Sequence, residues 1–122
     1  PIKEAFESME HKSEVTFTQR LSNDELNTVL ASALCLIYVS YFEGFGLPIL
    51  EAFQCQTPVI TSNVTSMPEV AGEAAIFVSP FDIESIKEGM EKVSKNPSLR
   101  QKLIEKGKVQ KENYYKNSKS LI

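Results

Sequence analysis

Histidine and cysteine are scarce in this 122-residue sequence, which holds one histidine, His11, and two cysteines, Cys35 and Cys55. The cysteines sit inside apolar segments with neither C-x-x-C spacing nor a neighbouring histidine. That excludes a zinc ligand set and favours two reduced core thiols over a disulfide. The pattern points to a cytoplasmic compartment. His11 lies in a charged, polar stretch and reads as a surface residue rather than a catalytic base. Long apolar runs are missing too. The longest uncharged, largely apolar run, VLASALCLIYV at 29 to 39, falls well short of the ~18 residues that span a bilayer. No transmembrane helix is expected. Repeats, low-complexity linkers and a basic-then-apolar leader are also lacking. With Pro1 in first place rather than methionine, a fragment or processed chain is expected.

What is present fits one domain, residues 1–122, whose 42% hydrophobic residues are enough for one modest core. Two domains are excluded within this length. The net charge of −3 is unevenly spread, because residues 87 to 119 hold ten of the thirteen basic residues. Those lysines recur on the polar sides of helical patterns without interleaved aromatics, which excludes a nucleic-acid site as the first reading. A solvated helix face is the plain reading, and peripheral contact with an anionic membrane surface stays open.

Short apolar runs alternate with helical spacing along the chain. VTFT (15 to 18), LCLIYVS (34 to 40), PVITS (58 to 62) and AAIFVS (74 to 79) are continuous rather than alternating, as strands covered on both faces are. Ser22 and Glu25 form a capping box ahead of Leu26, Val29, Leu30 and Ala33. Asp82 can cap the segment carrying Ile83, Ile86, Met90 and Val93, and Asn96-Pro97 starts the helix bearing Leu99, Leu103 and Ile104. The expected order is helix, strand, helix, strand, helix, strand, strand, helix, helix. This predicts a doubly wound α/β parallel sheet of about four strands with flanking helices. The polar end, KENYYKNSKSLI, is expected to fray.

EGFGLPILEA, residues 43 to 52, occupies the turn between the LCLIYVS strand and the next helix. Ligands of open α/β sheets bind at that carboxyl edge. Gly44 and Gly46 leave a ligand access to the backbone, and Pro48 opens the helix without sacrificing a needed hydrogen bond. The amides of Gly46, Leu47 and the first helical turn then face the mouth, where the helix dipole favours phosphate. Glu43 and Glu51 would repel phosphate, so they address hydroxyl groups on either side of it, the pattern a nucleotide sugar presents. On spacing alone a plainer reading stands equal, since a glutamate in a first helical turn is stabilised by the dipole without any ligand.

EGFGLPILEA, with TPVITSN at 57 to 63, MPEVAGEAA at 67 to 75 and a strand ending at Pro80 before Asp82, resembles the donor-binding domain of retaining group-1 glycosyltransferases with the GT-B fold. The similarity runs from about Val15 to about Gly107. It implies a partial GT-B carboxyl-terminal domain, Rossmann-like, lacking the amino-terminal acceptor domain. By the resemblance Glu43 is the catalytic-site glutamate that hydrogen-bonds donor-sugar hydroxyls near the reacting carbon. Gly44, Phe45, Gly46 and Leu47 contact the donor sugar and diphosphate, Glu51 holds the ribose hydroxyls, and Arg20 and Leu21 lie near the nucleobase. Ser40 supports the turn.

The resemblance further implies a nucleotide-sugar donor, an acceptor hydroxyl, no metal or other cofactor, and a place in polysaccharide or lipid-linked saccharide synthesis at the inner face of the membrane. Gln19, Val39 and Gln56 depart from the glycine, proline and glycine usual at those positions. The Arg and Lys that neutralise the leaving diphosphate have no counterpart, so these residues alone are expected to be inactive, and a homo-oligomer is expected. A noncatalytic α/β binding module and a nucleotide-sugar epimerase of the same fold are the alternatives.

Overall fold

The computed structural model describes residues 1–40, 46–64 and 67–120, without the side chains of 117–120. Strands β1 (Leu36–Tyr38), β2 (Val59–Ser62) and β3 (Ala75–Val78) form one sheet in the order β1-β2-β3. Both pairings are parallel, with Leu36 opposite Val59 and Ile60 opposite Ile76. Parallel neighbours cannot be joined by a tight turn, so each connection crosses over through a helix. These are α3 (Leu47–Gln54) and α4 (Met67–Ala71). Ahead of the sheet come α1 (Ile2–Glu7), a 3-10 turn (Lys12–Glu14) and α2 (Asn23–Ser32); after it come α5 (Ile83–Ser94) and α6 (Pro97–Ser120).

β2 is buried at every residue, as a central parallel strand covered on both faces must be. Its pleat divides the core. Val59 joins Leu30 of α2, Ile49, Leu50 and Phe53 of α3, and Met67 and Val70 of α4. Ile60 faces the other way, toward Val78, Val93 of α5 and Leu103 of α6. Two crossovers on one face and a return on the other make the sheet doubly wound. α6 serves both faces, because Leu103 closes the second cluster while Gly107, one turn on, abuts the Phe53 ring and Tyr114 packs on the first.

The helix starts lie where the sequence places them. The Ser22 hydroxyl accepts from the Glu25 N–H at 3.2 Å, and Glu25 Oε1 accepts from the Ser22 N–H at 2.9 Å. Asp82 Oδ1 accepts from the Glu84 N–H at 3.0 Å, and Asn96 Oδ1 from the Leu99 N–H at 3.1 Å.

Two expectations are corrected. The sheet has three strands rather than about four, since Val15–Thr18 joins no ladder among the described residues. A β-branched run becomes a strand only beside a partner that takes its N–H and C=O groups. Phe17, 64% exposed, instead meets the Phe6 ring edge-on with centroids 4.9 Å apart. Secondly, α4 stands between β2 and β3 where strand was expected to follow strand. Five residues are too few to show a helical period, although parallel pairing itself demands a crossover there. At the polar end α6 continues to Ser120, the last described residue, and Tyr114 packs half-buried on the core. Along α5, Val93 is fully buried while Ile83 and Met90 are exposed.

Candidate functional site

Parallel strands bring their carboxyl ends to one edge, and the β1–α3, β2–α4 and β3–α5 connections all emerge there. Of the residues expected in the site, Glu43, Gly44 and Phe45 lie outside the described residues. Gly46, Leu47 and Glu51 are described.

Gly46 is the N-cap of α3, in the left-handed region at φ 73° and ψ 12°. Its burial leaves no room for a side chain, as a Cβ there would stand 2.8 Å from Val70 Cγ1. Backbone and packing thus both require glycine. The Gly46 carbonyl accepts from the N–H groups of Ile49 (3.0 Å) and Leu50 (3.2 Å). Pro48, the second helical residue, has no N–H. The donors offered by the first turn are therefore fewer than the motif alone promises, and Leu47 N–H, at the first helical position, has no intrahelical acceptor. The positive end of the α3 dipole falls at the same point.

α3 divides cleanly by face. Ile49, Leu50, Ala52 and Phe53 are buried, whereas Leu47 and Glu51, four apart and hence on one side of the helix, are both exposed. Glu51 accordingly stands one turn behind the amide of Leu47, open to solvent. The chain direction places Arg20 and Leu21 as well. α2 leads into β1 as α3 leads into β2, so both helices run from the carboxyl edge toward the amino edge. Their far ends are joined, with Thr57 Oγ1 donating to the Leu30 carbonyl at 2.6 Å and Cys55 Sγ lying 3.8 Å from Asn27 Oδ1. Arg20 (exposed) and Leu21 (half-buried) immediately precede the Ser22 cap and so lie on the Gly46 edge.

Three residues beside the turn were not singled out in the sequence. Ser62, fully buried, donates its hydroxyl to the Ser40 carbonyl at 2.6 Å, and Thr61 donates to the Tyr38 carbonyl at 2.7 Å. Val70 fills the space over Gly46. The adjacent hydroxyls at the end of the PVITS strand were the available signal, since a buried hydroxyl must find a partner.

Cys35 lies half-buried beside the groove between β1 and α5. Burial pushes its pKa up, and the Arg100 guanidinium opposes that only in part. Among the described residues no three His, Cys, Asp or Glu side chains gather as a metal site, and no helix is long and apolar enough to cross a membrane. One cleft of about 500 Å³ lies between the Gly72–Ala74 turn and α6. A second, about 490 Å³ and mostly apolar, runs between β1 and α5 along Leu34, Ile37, Ile83 and Met90.

The family of glycosyl transferases group 1 matches residues 1–110. O-antigen chain mannosyltransferase B of Escherichia coli is 48% identical over 64 residues, which are 52% of this chain and 17% of that protein. An O-antigen chain mannosyltransferase of Salmonella typhimurium is 36% identical over 89 residues, 73% of this chain and 25% of that protein. Among solved structures, sucrose-phosphate synthase from Thermosynechococcus elongatus superposes with a TM-score of 0.81 at 25% identity, covering 92% of this chain and 29% of that one. The chain thus spans a quarter or less of the length of these two mannosyltransferases.

Proposed function

This chain belongs to the group 1 glycosyl transferases, and from that membership we propose that it forms the donor-binding part of a retaining glycosyltransferase. The enzyme would move a sugar from a nucleoside diphosphate to an acceptor hydroxyl in polysaccharide assembly. The relatives bearing the name mannosyltransferase support mannose as that sugar. The single observation that carries the reading is the opening of α3, where a left-handed, buried Gly46 starts a helix at the carboxyl edge with Leu47 and Glu51 on its open side.

The chemistry follows from charge. As the bond to the anomeric carbon breaks, negative charge grows on the leaving diphosphate, and preorganised donors stabilise it without reorganising. The Leu47 amide and the α3 dipole supply part of this. One donor of that kind is worth about 2.7–4 kcal/mol in an oxyanion site. Glu51 takes the ribose hydroxyls, Glu43 the sugar hydroxyls beside the reacting carbon, and Gly44 and Phe45 flank the diphosphate. Arg20 and Leu21 approach the base. No metal is required in this scheme.

Two statements about partners belong to the same proposal. The outer edge of β1 carries exposed Ile37 beside Leu34, Ile83 and Met90, a surface suited to a second copy meeting it across a two-fold axis. The exposed lysines of α6, Lys102, Lys106 and Lys108 among them, suit peripheral contact with the anionic inner face of a membrane from the cytoplasm.

The testing experiment is an amide NMR titration with GDP-mannose, UDP-glucose and ADP-glucose in EDTA, repeated on Glu51→Ala. Shifts at Gly46, Leu47 and Glu51 with one nucleotide, abolished in the variant, are the expected result. Unchanged affinity in Glu51→Ala would remove that residue from the site.

A further inference from the structure

The β1–α3 turn is gripped at both ends by one unit, β2–α4. The β1 ladder ends at Tyr38, paired with Thr61. Beyond it the attachment continues through side chains, Thr61 Oγ1 to the Tyr38 carbonyl and Ser62 Oγ to the Ser40 carbonyl, both donors fully buried. At the far end Val70 of α4 presses its two methyl groups on Gly46 where a side chain would otherwise stand. Val70 is itself held, since its carbonyl accepts from Gln110 Nε2 of α6 at 2.9 Å.

We propose that Ser62 and Val70 are positioning residues for the donor site, a clamp that fixes where α3 begins and so where the Leu47 amide and Glu51 stand. The proposal rests on the donor-binding reading of that edge. The physical ground is that glycine has more backbone freedom than any other residue, so a glycine at a helix cap keeps one conformation only where its surroundings hold it. A buried hydroxyl contributes there through a bond made in a dry setting. Neither residue needs to touch the ligand.

The test uses this 122-residue chain in two readouts, amide hydrogen exchange without ligand and nucleotide-sugar affinity. Ser62→Ala and Val70→Ala are compared with Val93→Ala, a cavity of the same chemistry in the opposite core cluster. Exchange at Ile49 and Leu50, whose N–H groups bond to Gly46, is expected to quicken about fivefold in Ser62→Ala, the factor that one net hydrogen bond represents, and to quicken at the same two amides in Val70→Ala through the cavity left over Gly46. The α5 amides should keep their rates. Affinity for the nucleotide sugar should fall by a similar factor, and Ser62→Thr should restore both. In Val93→Ala the Ile49 and Leu50 amides should show no such selective change.

Uniform acceleration across the chain, or an unaltered Ile49 and Leu50, overturns the clamp. A wild-type chain that binds no nucleotide sugar overturns the donor reading instead, and the exchange pattern then decides the clamp by itself.

Discussion

Gln56 has the one positive φ outside glycine among the described residues, 59°. It follows the C-cap of α3, and its N–H bonds to the Phe53 carbonyl while that of Thr57 reaches the Ala52 carbonyl. This is the Schellman arrangement, whose left-handed position is normally glycine. Group-1 relatives, by the resemblance, carry glycine there. A left-handed side chain costs about 1–2 kcal/mol, part of which glycine returns through its greater unfolded freedom. Gln56→Gly is therefore expected to stabilise the fold by about 0.5–1 kcal/mol, read as a higher calorimetric Tm; a lower Tm would refute the strain. The departure was visible in the sequence as an odd residue, but its meaning needed the angle.

At the scale of elements, helix ends and helix contacts behave differently. The α2 capping box is local chemistry. Its backbone and hydroxyl hydrogen bonds from Ser22 hold the Glu25 carboxyl below its ordinary value. A depressed folded value means that the contribution is complete above the unfolded pKa and is lost as pH falls through the folded one. Acid titration by circular dichroism should therefore show the α2 contribution to helicity weakening as pH falls from the ordinary carboxylate value through the lowered folded one, and Glu25→Gln should flatten that step.

Gly107, in the middle of α6, is the opposite case. Helix propensity favours alanine there by about 1 kcal/mol, yet a Cβ would come 2.8 Å from Cδ1 of the buried Phe53 ring. Crowding of that kind costs about 1–3 kcal/mol. Gly107→Ala should lower the denaturant midpoint, whereas propensity alone would raise it.

At the scale of the whole molecule, β1 is an edge of the sheet. Leu34 and Ile37 on one side of the groove and Met90 and Ile83 on the other remain 42% to 82% exposed, and an edge strand with apolar flanks invites pairing. Light scattering at rising concentration is expected to show a dimer, and Ile37→Lys should return it to monomer by placing a charge in the seam. A monomer throughout would withdraw that part of the proposal.

The sequence by itself determined what local chemistry can encode. The caps at Ser22, Asp82 and Asn96, the continuous runs of the three strands and the glycine-proline opening of α3 depend on neighbours within a few residues, so spacing reveals them. The parallel sheet followed from the same runs, because strands without alternation must be covered twice. The tertiary structure decided whatever needs a partner distant in the chain. Among the described residues Val15–Thr18 has strand composition but joins no ladder, α6 packs Tyr114 on the core, and Gly46 keeps its left-handed angle under Val70. The contact of Gly46 with Val70 joins residues 24 positions apart, and no local pattern records it. Hydrogen-bond partners and packing volumes are properties of the folded neighbourhood, and there alone is it seen that the Ile49 and Leu50 amides are spent on the Gly46 carbonyl.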